Sequence, residues 1–272
     1  MLKASNQSQL DDLVTAVLTS ANYKHVSPDL VRNIASQELM KRRNLKDALK
    51  ATKNKLHQVG GAYLDGRDDY SQWLNELKRV VQVGNQNDTR QVCKKIMSHH
   101  ASTRERLPIL DQFYTSILAD LTPVHSILDL ACGLNPLTLP WIPLAAGGHY
   151  YAYDIYQHII DFLQKWLLMI QTEGHAQVCD LTQSYPTHPV DVALVLKTIP
   201  CLEQVDKQAG SRLLRSINAR HLVVSFPIHS LGGKSKGMAM YYEAHFQELV
   251  EGEKWNIKKI EFATELVFVV TK

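Results

Sequence analysis

Three residues with the chemistry to hold a small polar ligand come at the ends of apolar runs. Gly133 follows the run Ile127 to Leu130 in the string ILDLACGLNP. Asp154 ends the string HYYAYD, and Asp180 ends AQVCD. An apolar run that stops at small or polar residues is typical of a buried strand entering a turn. Such turns bind nucleotides at the carboxyl ends of parallel strands, so this spacing predicts a nucleotide-type site.

The identity of the ligand follows from which residues are present and which are missing. An acidic residue about 20 positions after the glycine turn accepts the ribose hydroxyls in such sheets, and Asp154 lies 21 residues after Gly133. Asp180 would accept from an adenine amino group. A dinucleotide site requires G-x-G-x-x-G, and only Gly133 is present. A lone strand-end aspartate is often a cap or turn residue. Together, however, these residues favour S-adenosylmethionine, which has no pyrophosphate.

The elements that must position these residues are strands alternating with helices. Short β-rich runs lie at 125–130, 149–153, 176–179, 190–196 and 221–226, with helices predicted near 156–172, 204–217 and 240–250. Two further strands, 256–262 and 265–271, are too close together for a helical crossover and should pair as a hairpin. We therefore predict an α/β fold: a Rossmann-like methyltransferase sheet with a C-terminal antiparallel hairpin.

The first hundred residues have the pattern of a helical bundle. Leu10, Leu13 and Val17 recur at helical spacing, Ser27-Pro28 is a helix start, and Gly60-Gly61 ends a third helix. Two more helices are predicted over 69–83 and 88–99. These patterns predict an all-α domain over 1–107 and a Rossmann-like domain over 108–272.

Charge divides the chain at the same point. Residues 1–107 carry 18 Lys and Arg against 11 Asp and Glu, whereas the remainder carries 12 against 16. The segment 41–55 holds seven basic residues, among them Arg42, Arg43, Lys46 and Lys50. A single basic run is usually a solvated helix face. An imbalance over a whole segment favours an anionic partner such as nucleic acid.

Composition excludes several classes of protein. Hydrophobic residues make up 45% and charged residues 21%, as in ordinary globular proteins. The start lacks a signal peptide's apolar core, and no run approaches the ~18 apolar residues of a membrane span. Four scattered cysteines, Cys93, Cys132, Cys179 and Cys201, indicate reduced thiols rather than a metal site or disulfides. We expect a cytoplasmic monomer without a metal and without a membrane partner.

Five longer strings make the chain similar to a known family. They are HASTRERL (100–107), ILDLACGLNP (127–136), LVLKTIPCLE (194–203), VVSFPIHSLGGKSKGM (223–238) and TELVFVV (264–270). They resemble the aminoglycoside-resistance 16S rRNA methyltransferases that modify N7 of guanine 1405, and GAYL at 61–64 matches as well. The resemblance implies methylation of that base in the 30S decoding site with S-adenosylmethionine, and resistance to kanamycin- and gentamicin-type drugs.

The resemblance also implies which residues contact the cofactor. They are Tyr63, His100, Ser102, Arg106, Ala131, Gly133, Asp154, Asp180, Leu181 and Leu196. Arg106 is suited to the methionine carboxylate, because a guanidinium can bind a carboxylate through two parallel hydrogen bonds.

The reaction at guanine N7 needs alignment more than proton transfer, because N7 has a lone pair and no proton. A carboxylate would stabilise the positive charge that the purine gains, and Glu203 and Glu265 are the candidates. Lys197 ends the fourth predicted strand, and its family counterpart is functionally important, so we expect it to hold the target nucleotide. Lys234 and Lys236, in the glycine-rich stretch SLGGKSKGM (230–238), are predicted to contact RNA.

Two other functions remain compatible with these patterns. One is a methyltransferase that acts on another RNA or on a small molecule, although the basic helical segment argues against the small molecule. The other is a non-catalytic module in which a degenerate Rossmann domain docks the helices on RNA. The presence of Gly133, Asp154 and Asp180 argues against that degeneracy.

Overall fold

The computed structural model describes residues 2–64, 69–228 and 237–272, with side chains from residue 7 onward. Lys234 and Lys236 lie outside these residues. The central element is a seven-stranded sheet. Its strands are β1 Val124–Leu130, β2 Leu144–Asp154, β3 Glu173–Val178, β4 Val190–Leu196, β5 Ala219–Pro227, β6 Asn256–Glu261 and β7 Glu265–Thr271.

The strands lie side by side in the order β3-β2-β1-β4-β5-β7-β6. Strands β1 to β5 pair in parallel, whereas β7 runs antiparallel to both β5 and β6. The predicted parallel sheet with a C-terminal antiparallel hairpin is confirmed. Chain order reverses between β1 and β4, and ligands bind outside the carboxyl ends of strands at such a reversal.

The chain before β1 is helical, as predicted. Its helices are α1 Leu2–Leu18, α2 Pro28–Lys41, α3 Leu45–Val59, α4 Tyr70–Val83, α5 Gln86–Met97, α6 Ala101–Arg106 and α7 Leu110–Ile117. The Ser27 side chain accepts the Leu30 N–H at the start of α2, with Pro28 at the first helical position. Helix α3 ends at Gly60, as the sequence indicated.

The helices of the second half differ from the prediction at two places, an additional short helix at Ile199–Leu202 and a later start of the helix predicted over 204–217. They are α8 Gln157–Met169, α9 Ile199–Leu202, α10 Ala209–Ser216 and α11 Met238–Leu249. The helix predicted over 204–217 begins only at Ala209, because the Asp206 carboxylate accepts the Gln208 N–H at 2.9 Å in a local turn. No helix in the described ranges is long and apolar enough to cross a bilayer.

Apolar side chains cover the two faces of the sheet. One cluster contains Leu13 and Ile34 of the first helices together with Ile127 of β1. The other contains Phe246 of α11 and Phe268 of β7, whose rings stack with centroids 4.0 Å apart. The N-terminal helices therefore share a core with the sheet, and this shared core brings α2, α3 and α6 to the strand ends.

Candidate functional site

A cavity opens at the carboxyl ends of β1 to β4, where chain order reverses. Every residue predicted to contact the cofactor lines it except Arg106 and Gly133. The lining residues are Leu30, Val59, Gly60, Tyr63, His100, Ser102, Ala131, Asp154, Ile155, Tyr156, Cys179, Asp180, Leu181, Thr182, Leu196, Lys197, Thr198, Cys201 and Leu202. Side chains from both halves of the chain thus form one cavity wall.

Gly133 shapes the cavity although it does not line it. Its φ of 51° lies in the left-handed region that favours glycine. A Cβ at this position would lie 2.6 Å from the Cε1 atom of His100. Its N–H donates to Oδ2 of Asp154 at 2.8 Å. The single glycine therefore allows His100 and Asp154 to close around the turn after β1.

Asp154 ends β2 and is 7% exposed. Its Oδ1 atom accepts the backbone N–H groups of Ile155 and Tyr156, at 2.7 and 3.2 Å. Burial raises the pKa of Asp154, and the hydrogen bonds from Gly133, Tyr156 and Ile155 oppose that rise. A carboxylate has about four acceptor sites, so three backbone donors leave capacity for a ligand hydroxyl.

Asp180 follows β3 and presents an unmatched acceptor. Its Oδ1 atom accepts from both the N–H and the hydroxyl of Thr182, at 2.9 and 2.6 Å. Its Oδ2 atom is buried and has no hydrogen-bond partner among the described residues. Because an unsatisfied buried acceptor is costly, this atom favours a ligand with an N–H donor, such as an adenine amino group. The cavity therefore fits an adenosine-type cofactor.

The helical half supplies three further lining residues that the sequence did not predict. Leu30 of α2 and the residues Val59 and Gly60 at the end of α3 line the cavity. A Cβ at Gly60 would lie 2.8 Å from the hydroxyl oxygen of Tyr156, so the helix end packs closely there. No local pattern separates Leu30 or Val59 from other core residues. Tyr156 could have been found, because it comes two residues after Asp154.

Tyr63 and Cys201 meet at the cavity. The Cys201 thiol donates to the Tyr63 hydroxyl at 3.3 Å. Burial raises the pKa of the Cys201 thiol to about 11. Burial also raises the pKa of the Tyr63 hydroxyl well above its usual value. Both groups therefore stay protonated near neutral pH and shape the wall rather than transfer protons.

Lys197 comes directly after β4, with a φ of 57° in the left-handed region. Its backbone N–H donates to the Ser225 carbonyl at 3.0 Å and to the Ser225 hydroxyl at 3.2 Å. Its ammonium group donates to Glu105 at 2.8 Å and to the Ser102 carbonyl at 3.2 Å. The side chain is 4% exposed yet lines the cavity.

Arg106 is held by protein partners behind the residues that line the cavity. Its Nε donates to Glu265 at 2.9 Å, its Nη2 donates to the same carboxylate, and its Nη1 donates to Asn135 at 2.8 Å. Arg106 is 1% exposed and does not line the cavity. The guanidinium is matched to a carboxylate of the protein, and its contact with the methionine carboxylate stays a prediction.

The two predicted catalytic carboxylates also lie behind the cavity wall. Glu265 is fully buried, and burial alone would raise its pKa. Arg106, Lys197 and Ser225 instead hold the pKa of Glu265 below its usual value, so it is ionised. Glu203 is paired with His245, whose Nε2 lies 2.9 Å from Oε2 of Glu203. Neither carboxylate lines the cavity, and each is paired with a basic side chain of the protein.

Asp129 is a polar group that sequence reasoning missed inside the apolar run of β1. Its Oδ2 atom accepts from the Tyr150 hydroxyl at 2.7 Å and from the Asn135 amide at 2.9 Å. Burial raises the pKa of Asp129 to about 6. Asn135 also accepts from Arg106, so Asp129 belongs to the same network as the buried ion pair. An acidic residue within a strand run was the available signal.

The predicted RNA-contacting side chains on the helices are not equivalent. Arg42 donates to Glu38 through both Nε and Nη2, at 3.1 and 2.9 Å. Arg43, Lys46 and Lys50 are exposed at the end of α2 and along α3. Arg42 therefore has a local structural partner, and the other three present charge to solvent. No cluster of three or more metal-ligating side chains occurs among the described residues.

The strand order and the acidic ends of β2 and β3 define a Rossmann-type methyltransferase. A family model described as "Ribosomal RNA methyltransferase (FmrO)" matches residues 19–269. The chain belongs to this family.

Curated relatives and solved structures agree with this assignment. A 16S rRNA (guanine(1405)-N(7))-methyltransferase of Micromonospora rosea is 35% identical over 274 residues, covering 100% of both chains. One from Serratia marcescens is 32% identical and covers 97% of this chain and 98% of the relative. The 16S rRNA methyltransferase RmtF, in complex with S-adenosyl-L-homocysteine, superposes with a TM-score of 0.83 at 29% identity, covering 97% of this chain and 98% of RmtF. The methylase RmtB gives a TM-score of 0.78 at 28% identity with the same coverage.

The raised pKa of Asp129 predicts a pH-dependent contribution to stability. Its pKa is about 6 in the fold against 3.8 for the ordinary group, so the native state holds the proton more tightly than the unfolded chain. That contribution is fully present below pH 3.8 and is lost as pH rises through about 6. Asp129→Asn keeps an acceptor oxygen and removes the titration. We expect its unfolding free energy, relative to the unsubstituted protein, to rise by roughly 2 kcal/mol between about pH 4.5 and 7.5. Urea unfolding at each pH measures this difference, and a difference independent of pH would contradict the assignment.

Proposed function

We propose that this protein transfers a methyl group from S-adenosylmethionine to N7 of guanine 1405 in 16S rRNA of the 30S subunit. Its place of action would be the bacterial cytoplasm. The observation that carries the proposal is the unmatched buried Oδ2 of Asp180, in a cavity at the strand ends of an FmrO-family chain. The relatives' names support the target base. The RmtF complex supports the cofactor.

The cavity offers a partner for each part of an S-adenosyl group. Asp180 would accept from the adenine amino group, and Asp154 would accept from the ribose hydroxyls. Leu181 and Leu196 supply apolar surface for the base. Tyr63, His100, Ser102 and Ala131 would surround the remainder of the molecule. When bound, S-adenosylmethionine supplies a methyl group activated on a sulfonium sulfur.

The protein's own part in the reaction is to align the base and to compensate charge. N7 carries no proton, so no general base is required. Tyr63 and Cys201 of the cavity wall stay protonated near neutral pH, because burial raises both pKa values. Lys197 is a lysine of the wall, and its ammonium group would hold the target nucleotide. Glu265 would change the electrostatic potential at the reacting base through Lys197 and Arg106. Glu203 would do so through His245. Positioning of this kind contributes much of the rate of a transfer between two bound groups.

Residues 1–107 would form the part that binds the ribosomal subunit, and 108–272 the part that binds the cofactor. Support comes from the basic excess of the first segment and from the exposed Arg43, Lys46 and Lys50. Lys234 and Lys236 would add positive charge that attracts RNA. A monomer would suffice, because the cavity wall is built from one chain.

Aminoglycoside resistance would follow from the chemistry of the product. Methylation removes N7 as an acceptor, adds bulk and gives the purine a positive charge. Drugs of the kanamycin and gentamicin type are polycations, so repulsion adds to the ~1–3 kcal/mol cost of an unmatched hydrogen-bonding group. Drugs that do not contact this edge of the base, such as apramycin, should retain their activity.

Expression in a susceptible bacterium tests the proposed function directly. We expect resistance to kanamycin and gentamicin without resistance to apramycin, and borohydride–aniline cleavage of 16S rRNA at guanine 1405. Lys197→Ala should remove the resistance and leave only slow residual methylation of the base, because the target nucleotide is held less well. Cleavage at another nucleotide would support the alternative of a methyltransferase with a different RNA target.

Cofactor binding separates an enzyme from a non-catalytic module. Calorimetry should detect S-adenosylmethionine and S-adenosylhomocysteine but not NAD. Asp180→Ala should weaken both by roughly 1–3 kcal/mol, because it removes the buried acceptor. Asp161→Ala, an exposed aspartate of α8 outside the cavity, is the matched control. Tight binding of NAD, or no binding of either S-adenosyl compound, would contradict the proposal.

The basic helices should account for the salt dependence of ribosome binding. Reversing Arg43, Lys46 and Lys50 to glutamate should lower the slope of log affinity against log salt by roughly 1 for each phosphate that these side chains neutralise. Cofactor affinity should not change. Reversing the exposed Lys165, Lys207 and Lys254 changes net charge equally on the second half of the chain and should leave the slope near its original value. Equal effects of the two triple variants would mean that only net charge matters.

A further inference from the structure

The ammonium group of Lys197 is held by two acceptors on helix α6. Glu105, on α6, accepts from it at 2.8 Å, and the Ser102 carbonyl on the same helix accepts at 3.2 Å. The Lys197 side chain is 4% exposed and that of Glu105 is 29% exposed. A dehydrated ammonium must be matched by partners, so these two acceptors fix where it lies.

The number of donors on Lys197 leaves one for a ligand. An ammonium group has three N–H donors. Two are used by Glu105 and Ser102, and Glu265 lies 3.9 Å away, beyond hydrogen-bonding distance. Lys197 lines the cavity. Among the described residues, no further protein acceptor lies within hydrogen-bonding distance of the ammonium group, so the third N–H can donate to a ligand in the cavity that Lys197 lines.

Guanine has an acceptor, O6, to which such a donor can form a hydrogen bond. N7 and O6 are adjacent acceptors on one edge of guanine, whereas adenine presents an amino donor in place of O6. A fixed N–H beside the reacting N7 would donate to O6 of guanine. In adenine the same N–H would face the amino group, which is also a donor. The ammonium group must be held at a fixed position to distinguish the two bases. The partners of Lys197 provide that position, because the lysine side chain is otherwise flexible.

We propose that Glu105 is a positioning residue that fixes the ammonium group of Lys197 so that its third N–H reads O6 of the target guanine. The proposal deepens the proposed function and rests on it. Without Glu105, the ammonium group turns toward Glu265, the other carboxylate within 4 Å. Discrimination between guanine and adenine then falls, even though the cavity that holds the cofactor is intact.

The experiment compares methyl transfer to 30S subunits reconstituted with guanine or with adenine at position 1405. The measured quantity is the ratio of the two single-turnover rates at saturating S-adenosylmethionine. We expect Glu105→Ala and Lys197→Met each to lower this ratio roughly 10-fold or more, the effect of removing one base-specific hydrogen bond. Glu105→Gln keeps an acceptor oxygen for Lys197 and should retain most of the ratio.

A double substitution distinguishes positioning from a separate contribution to the site. In a Lys197→Met background there is no ammonium group left to position, so Glu105→Ala should not change the ratio further. The control is Glu76→Ala, which breaks a Lys95–Glu76 pair of the same 2.8 Å length between α4 and α5. It should leave the ratio unchanged. Calorimetry with S-adenosylmethionine and a melting curve accompany each variant.

The outcomes separate this proposal from the function on which it rests. No methyl transfer by the unsubstituted protein to guanine 1405 would overturn both. Transfer with an unchanged ratio in Glu105→Ala would overturn only the role of Glu105. Additive losses of the ratio in the double variant would mean that Glu105 acts independently of Lys197, which would overturn its role as a positioning residue.

Discussion

The buried ion pair between Arg106 and Glu265 is the constraint on which the site depends. It joins α6, at the end of the helical half, to the first residue of β7. The side chains of both partners are at most 2% exposed. Removing one partner of such a pair leaves an uncompensated buried charge, which costs about 3–5 kcal/mol. The pair therefore fixes the helical half against the sheet at one orientation.

Helix α6 connects the ion pair to the cavity wall. His100 precedes the helix and lies against Gly133, and Ser102 faces Lys197 through its carbonyl. One turn further, Arg106 points away from the cavity into the network around Asn135. Because one short segment carries all three residues, a shift of the ion pair would move the cavity wall. The basic helices packed on the same core would shift with it relative to the cofactor site.

Local patterns in the sequence were sufficient to predict most helices and strands and the acidic residues at the strand ends. The Ser27-Pro28 helix start, the hairpin and the position of Asp154 all depend on residues close in the chain. Arg106 and Glu265 are 159 residues apart, so no local pattern reveals their pairing. The sequence alone therefore assigned Arg106 the role that the family resemblance implies, a contact to the cofactor, and did not predict its pairing with Glu265. Leu30 and Val59 are missed for the same reason, because only the fold brings them to the cavity.

The network around the ion pair also shifts the pKa values of two buried carboxyl groups in opposite directions. Glu265 meets a guanidinium directly, and its pKa stays below the usual value despite complete burial. Asp129 has a hydroxyl and an amide as its nearest donors, with Arg106 as a more distant charge, and burial raises its pKa to about 6. A reaction that places positive charge on a purine gains from fixed negative charge held behind the wall, where it cannot accept a proton at neutral pH. Direct contact with Arg106 keeps Glu265 in that state, so the same ion pair that joins α6 to β7 also fixes the charge of this buried carboxylate.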